Sequence, residues 1–342
     1  MMRKGMIFVT VMVFAFGMLI AFNAALASAE AIELKLAHFM PTMHVQHRKA
    51  FKPFSDEVAR ITDGKVMIKI YPGATLANPK TMVDAISTGI TDIGFVIPAY
   101  IPGRFERSSV LELPFIFNSA THITKTAYEI YDEYLTEDYR RFKVLWFLSA
   151  PLNQLHTVKK RVLTVDDFKG LKIRSGSATE TEGLKLLGAN PIGMPISELS
   201  ISLQKGVVDG AVTPYAALKS HKLIDIVKYI TEFNYNSALM CVLMNKKKWD
   251  NLPDFAKKAI NQVANREFGL MAAGAFDEED AENIVAAKAK GIQIYKFSDV
   301  DKAKIRDKLQ GIWEDWVKKK SKKKIPAQKI LDATLAAAKA NQ

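Results

Sequence analysis

Arg174 closes the stretch Asp167-Phe-Lys-Gly-Leu-Lys-Ile-Arg174 and is followed by Ser175 and Gly176. Residues 171–173 read as a short strand, so the guanidinium lies at a strand's carboxyl end, where open α/β sheets hold their ligands. A helical run over about residues 178–187 follows. Helix amino ends favour anions through free N–H groups and the helix dipole. An arginine there suits a carboxylate, because its planar fork can hold both oxygens at once. A surface arginine paired with Asp or Glu fits the local pattern too, and on that pattern alone is the commoner use.

Other groups with chemical potential are weaker. His38, His44 and His47 fall within ten residues, but no carboxylates stand at a spacing that would complete a metal site, and Pro41 marks the segment as a loop. His38 and Phe39 directly follow the first expected strand, which suits a loop lining a cleft. Tyr100, Tyr215 and Tyr235 also stand near strand ends, where they either line a cleft or pack in the core. Cys241, the only cysteine, sits in the apolar run 238–245 and reads as a buried small residue rather than a nucleophile. The chain has no G-x-S-x-G, P-loop or G-x-G-x-x-G pattern. Glu180 and Glu182 would be acid–base candidates only through proximity to Arg174, and their helical position predicts solvent.

The elements that must position these residues alternate. Strands are expected over residues 33–38, 66–71 and 92–97, with helices over 49–61 and 80–88 between them. The run 92–97, uncharged after Asp92, suggests a strand buried on both faces. A second block repeats the plan, with strands at 143–148, 155–158, 171–173 and 207–212, and a short helix at 197–205. Residues 241–244 look like a strand returning to the first block. A long helical stretch runs from 251 to about 290, where Gly269 and Gly274 are potential bends. A strand at 292–297, an amphipathic helix over 300–320 and a final helix over 327–340 complete the chain. This alternation predicts an α/β fold with largely parallel sheets, in two lobes around a cleft that closes by hinge motion.

The ends and the charge bound the setting. Arg3 and Lys4, an apolar run over 6–22 and the small residues of 24–29 have the form of a secretory signal peptide cleaved near Ala29. Cleavage would leave an exported chain with no stable membrane anchor and no internal disulfide, held by packing alone. The formal net charge is +12, but six lysines crowd into residues 318–324, so the basicity is largely a property of the C-terminal end. A nucleic-acid partner is not expected, because basic and aromatic residues do not interleave across a face. The lysine run reads as a solvated helix end, with an acidic partner or anionic membrane as the minority use.

Several motifs form one ordered series: Asp167 to Arg174, then Leu187-Gly-Ala-Asn-Pro-Ile-Gly-Met-Pro195, Glu198, and Leu203-Gln-Lys-Gly-Val-Val-Asp-Gly210. Residues 89–94, Leu113-Pro-Phe-Ile-Phe117 and Trp249-Asp-Asn-Leu-Pro253 extend it. In this series the chain resembles the solute-binding proteins of tripartite ATP-independent periplasmic (TRAP) transporters, of the DctP-like family, over essentially the whole mature length. The resemblance implies two α/β lobes with hinge strands and a long helix spanning both. The implied lobes are residues 30–153 with 242–281 and residues 154–241 with 282–318, followed by a basic helical tail over 319–342. It also implies a periplasmic binding protein rather than an enzyme, with no cofactor, that captures a small organic acid and hands it to a membrane permease for ion-gradient-driven uptake. The family's carboxylate-anchoring arginine falls on Arg174. Many relatives carry an asparagine where this chain has Thr213, and a second arginine where it has Asn153 or Gln154. The loss of that second cation points to a monocarboxylate with a neutral, apolar or aromatic body, packed by Phe39, Tyr100, Trp146, Tyr215 and Tyr235. A C4-dicarboxylate or sugar acid is the alternative ligand, and an exported enzyme acting on a small acid is the rival class.

Overall fold

The computed structural model describes residues 31–342, so the expected signal peptide lies outside the described residues. Two sheets carry the chain. The first contains β1 (Ile32–Ala37), β2 (Val66–Tyr71), β3 (Ile93–Val96) and β4 (Phe142–Ser149), completed by β10 (Leu239–Asn245). Its order is β2-β1-β3-β10-β4. β1 to β3 are parallel, whereas β10 runs antiparallel between β3 and β4. All four residues of β3 are buried, as its uncharged sequence requires of a strand covered on both faces.

The second sheet contains β5 (Gln154–Thr157), β6 (Lys172–Ser175), β7 (Asn190–Gly193), β8 (Gly210–Thr213), β9 (Tyr229–Glu232) and β11 (Gln293–Lys296), in the order β11-β9-β5-β8-β6-β7. The two-lobed α/β architecture expected from the alternation is therefore present. β7 and β9 were not anticipated. Both are only four residues long, and β7 is a sheet edge that tolerates Pro191 because its N–H side need not pair.

The connection from β4 to β5 runs beside the connection from β9 to β10. The Ala150 amide donates to the Ala238 carbonyl at 3.3 Å, the Asn153 amide to the Asn236 carbonyl at 2.8 Å, and the Tyr235 amide to the Asn153 carbonyl at 3.2 Å. These paired segments form a two-strand hinge. β10 begins at Leu239, three residues before the expected return to the first lobe at 242.

The long helical stretch is two helices, Asp254–Val263 and Arg266–Ala289. The break lies at Ala264 and Asn265, where the Asn265 side chain caps the second helix by accepting the Phe268 amide. Neither Gly269 nor Gly274 interrupts it. Gly269 instead permits close packing on β4, since a Cβ there would collide with the Phe147 carbonyl and the Tyr128 hydroxyl. At 24 residues this helix is roughly 36 Å long. It packs on β4 in the first lobe and on β11 in the second.

The C-terminal helix Ala327–Ala340 is not a tail. It packs against the helix Ala120–Ile130, burying Ile330, Leu331 and Thr334, and the Ala338 carbonyl lies 2.7 Å from His122 Nε2. The lysines before it are partly engaged: Lys319 pairs with Glu182 at 2.7 Å, and both Lys320 and Lys323 pair with Glu106.

Candidate functional site

β6 delivers Arg174 to the space between the lobes. The side chain is 4% exposed, and three of its N–H groups are committed to protein acceptors. Nε donates to the Met194 carbonyl at 2.9 Å, Nη1 to the Val212 carbonyl at 3.1 Å and Nη2 to the Tyr100 hydroxyl at 3.1 Å. A guanidinium has five N–H donors, so one remains on each terminal nitrogen. That pair is the edge that grips both oxygens of a carboxylate. Gly176 leaves room for this packing, because a Cβ there would stand 2.8 Å from Arg174 Nη2.

The cavity at Arg174 is also lined by Met40, His44, Ile97, Tyr100, Asn153, Gly176, Glu180, Ile196, Thr213, Pro214, His221, Met240 and Phe276, with small alanines filling the gaps. Both lobes contribute. Tyr100 comes from the turn after β3, yet its oxygen accepts from Arg174 and from the Ile196 amide at 3.1 Å, both in the second lobe. The Thr213 hydroxyl is buried and has no partner among the described residues.

Four of the residues singled out from the sequence, Arg174, Thr213, Asn153 and Tyr100, line this cavity together. The other six lie elsewhere. Gln154 turns toward the end of β9, where its Oε1 accepts from the amides of Phe233 and Asn234 and its Nε2 donates to Asn234 Oδ1. Tyr235 stacks on Phe233 with ring centroids 4.8 Å apart, and Gly183 gives its hydroxyl room beneath the helix Ala178–Leu186. His38 packs on Phe51, with Nε2 3.0 Å from His47 Nδ1. Phe39 fills the core against Phe95. Tyr215 is buried edge-on to His156. Trp146 is fully buried among Phe51, Phe54 and Phe268. Gln154 opens β5 and Trp146 lies within β4, while His38, Phe39, Tyr215 and Tyr235 follow strands, and all six side chains pack away from the cavity.

Glu180 corrects the sequence reading most. Expected in solvent, it is 3% exposed and lines the cavity. Its Oε2 accepts the Gly176 amide at 2.6 Å and its Oε1 accepts Asn153 Nδ2 at 2.7 Å. Ser177 caps the same helix by accepting the Glu180 amide at 3.1 Å. The helix amino end, which favours an anion, thus already has one of its own. Burial raises the Glu180 carboxyl above its ordinary value, opposed by Arg174 and the Gly176 N–H.

Other titrating groups follow from burial. His44 is held well below the usual imidazole range by burial and then by His221, and His221 is lowered to about 4 by burial and then by Arg174. Both are therefore neutral at pH 7. Glu112, buried near Glu180, is pushed up to about 8 by burial first and by Glu180 second. For a carboxyl with a raised folded-state pKa, the stabilisation is complete below the ordinary value of 4.5 and is lost as pH rises through about 8. Glu112→Gln should therefore flatten the fall in stability between about pH 4.5 and pH 8, read as the urea midpoint at each pH. An unchanged slope would mean that Glu112 does not titrate in that window.

Sequence reasoning did not find Glu180, His44 or His221 as cavity residues. For Glu180 a signal existed. Ser177-Ala-Thr-Glu180 has the spacing of a capping box, in which the acid turns back toward the chain that precedes the helix. His44 and His221 belong to different lobes, and no local pattern joins them.

The family model for bacterial extracellular solute-binding proteins, family 7 (DctP), matches residues 36–320. The 2,3-diketo-L-gulonate-binding periplasmic protein YiaO of Escherichia coli is 26% identical over 303 residues, spanning 85% of this chain and 88% of that protein. A TRAP solute-binding protein of Rhodoferax ferrireducens, solved with copurified benzoate, superposes with a TM-score of 0.87 at 26% identity, covering 91% of this chain and 98% of that one. One from Bordetella bronchiseptica, solved with (R)- and (S)-mandelate, gives a TM-score of 0.84 at 29% identity, covering 91% and 100%. No described helix is long and apolar enough to cross a membrane.

Proposed function

The chain belongs to the bacterial extracellular solute-binding proteins of family 7, the DctP family, and from that premise we propose that it captures a monocarboxylate with a largely apolar body in the periplasm and delivers it to a TRAP permease. It serves transport as a binding protein and is not an enzyme. In this reading Arg174 grips the ligand's carboxylate through its two uncommitted N–H groups, and the Thr213 hydroxyl adds a third donor. The lobes close over the ligand about the hinge at Asn153 and Asn236, and the permease receives the closed form.

The charge count of the cavity carries the reading. Among its described lining residues Arg174 is the only lysine or arginine, the one acid is Glu180, and the two histidines are neutral. A second ligand carboxylate would be buried without a cation and near an acid, which is costly. Met40, Ile97, Ile196, Met240 and Phe276 offer an apolar wall to the remainder of the ligand. Benzoate and mandelate, bound by two structural relatives, are compact monocarboxylates of this kind.

Titration calorimetry against a panel of acids tests this. Monocarboxylates should bind and succinate and malate should not. Tight binding of succinate or malate with no response to monocarboxylates contradicts the proposal. Glu180→Gln removes the neighbouring acid and keeps the side chain's shape. It should narrow the preference for butanoate over succinate by about tenfold, since like charges in a buried site repel by a kcal/mol or more. An unchanged preference would put the discrimination elsewhere.

A further inference from the structure

His44 and His221 form a second polar pair in the cavity that the carboxylate reading does not use. His44 comes from the loop after β1 and is 3% exposed, while His221 follows the short helix Ala217–Ser220 in the other lobe. Their ring centroids are 5.8 Å apart, edge to face, and both rings line the cavity. Phe276, also lining it, packs edge-on to His44 with centroids 5.4 Å apart and fixes that ring.

The tautomer of His44 follows from its neighbour. The Gln46 amide donates to His44 Nδ1 at 3.2 Å. A neutral imidazole that accepts at one nitrogen carries its proton on the other, so Nε2–H is a donor. Burial first and His221 second keep this ring neutral, and burial and Arg174 do the same for His221. A neutral His221 offers one donor and one acceptor nitrogen. The pair therefore presents a donor and an acceptor of no net charge, one from each lobe.

We infer that His44 and His221 together recognise a hydroxyl group on the ligand, so that the preferred solute is a hydroxy-monocarboxylic acid. A hydroxyl donates and accepts, and can answer His44 Nε2–H and a His221 nitrogen at the same time. A second carboxylate only accepts, and would meet no cation here. A plain hydrocarbon body leaves both imidazoles desolvated without partners, which costs binding. The contact also joins the lobes through the ligand, so the hydroxyl would favour the closed form as well as the complex. This rests on the monocarboxylate reading and narrows it to a substrate class.

Calorimetry with matched pairs tests the inference. Benzoate is compared with 3-hydroxybenzoate, phenylacetate with its 3- and 4-hydroxy forms, and butanoate with 3-hydroxybutanoate, which vary the distance between carboxylate and hydroxyl. At least one hydroxylated acid should bind about tenfold or more tightly than its parent. His44→Leu should reduce that ratio to within about threefold while leaving the parent's Kd within about threefold, and His221→Leu should act in the same direction. His44→Gln keeps a donor and should retain a preference, which guards against a leucine variant that folds poorly. Hydroxylated acids that bind no better than their parents, or a preference that survives His44→Leu, would overturn the inference and leave the monocarboxylate reading standing. Binding of none of these acids would overturn both.

Discussion

Arg174→Ala should weaken binding of any monocarboxylate ligand by about 2–5 kcal/mol, roughly 30- to 5,000-fold in Kd, the range for truncating one side of a buried charge pair. The size of the effect follows from the cavity's charges. No other described lining residue can replace the lost cation. The ligand's anion would be buried beside Glu180, whose carboxyl would itself have lost the one positive charge opposing its burial. Arg174→Lys keeps the charge but not the fork. It cannot reproduce the three bonds to Met194, Val212 and Tyr100, so it should recover only part of the affinity. Titration calorimetry on both variants measures this directly. Near-normal affinity in the alanine variant would mean that another group anchors the carboxylate.

The second large effect is on stability. Trp146→Ala should destabilise the protein by about 3–5 kcal/mol, as expected when a fully buried indole is removed from a packed core. The indole is enclosed by Phe54 and Phe268, each with ring centroids 5.0 Å away, and by Phe51 at 6.3 Å. Its Nε1–H has no partner among the described residues, so Trp146→Phe strands no polar group and should cost less. Ligand affinity of the folded alanine variant should stay within about threefold of wild type, because Trp146 does not line the cavity. Urea unfolding and calorimetry on the same preparation separate the two quantities. A stable variant with a large loss of affinity would return Trp146 to the ligand site.

Where one physical signal dominated, the sequence was legible. β2 spans Val66–Tyr71 and the last helix Ala327–Ala340 at their expected bounds, because alternation in one and an amphipathic run in the other leave little choice. The expected helix over 300–320 is instead two, Asp299–Leu309 and Ile312–Ser321, divided near Gly311, so the apolar face was legible but not the break. The helix Ala120–Ile130 went unforeseen because its buried side includes His122, Thr124 and Thr126, which hide the apolar period. The threonine hydroxyls are satisfied locally, Thr124 and Thr126 donating to the carbonyls of Ala120 and His122, and His122 meets the Ala338 carbonyl of the last helix.

The site divides along the same line. Arg174 and Thr213 could be picked out because adjoining motifs fix their positions in the chain, whereas Asn153 was named only together with Gln154, and the structure puts Asn153 at the cavity. The aromatic candidates other than Trp146 rested on nearby strand ends, and neither a strand end nor a place within a strand says which way a side chain turns. Glu180 was misassigned by treating a helix's first turn as solvent, although Ser177 three residues earlier signalled a carboxylate folded back onto the chain. His44 and His221 meet only when the lobes do, which is tertiary information that no window of sequence contains.

The central claim is that one guanidinium, with no second cation, holds the ligand by a single carboxylate. A crystal structure of the mature protein with a bound monocarboxylate such as benzoate tests it most directly. The account predicts both carboxylate oxygens within hydrogen-bond distance of Arg174 Nη1 and Nη2, with the Thr213 hydroxyl alongside and the ring against Met240 and Phe276. A carboxylate bound away from Arg174 would contradict it.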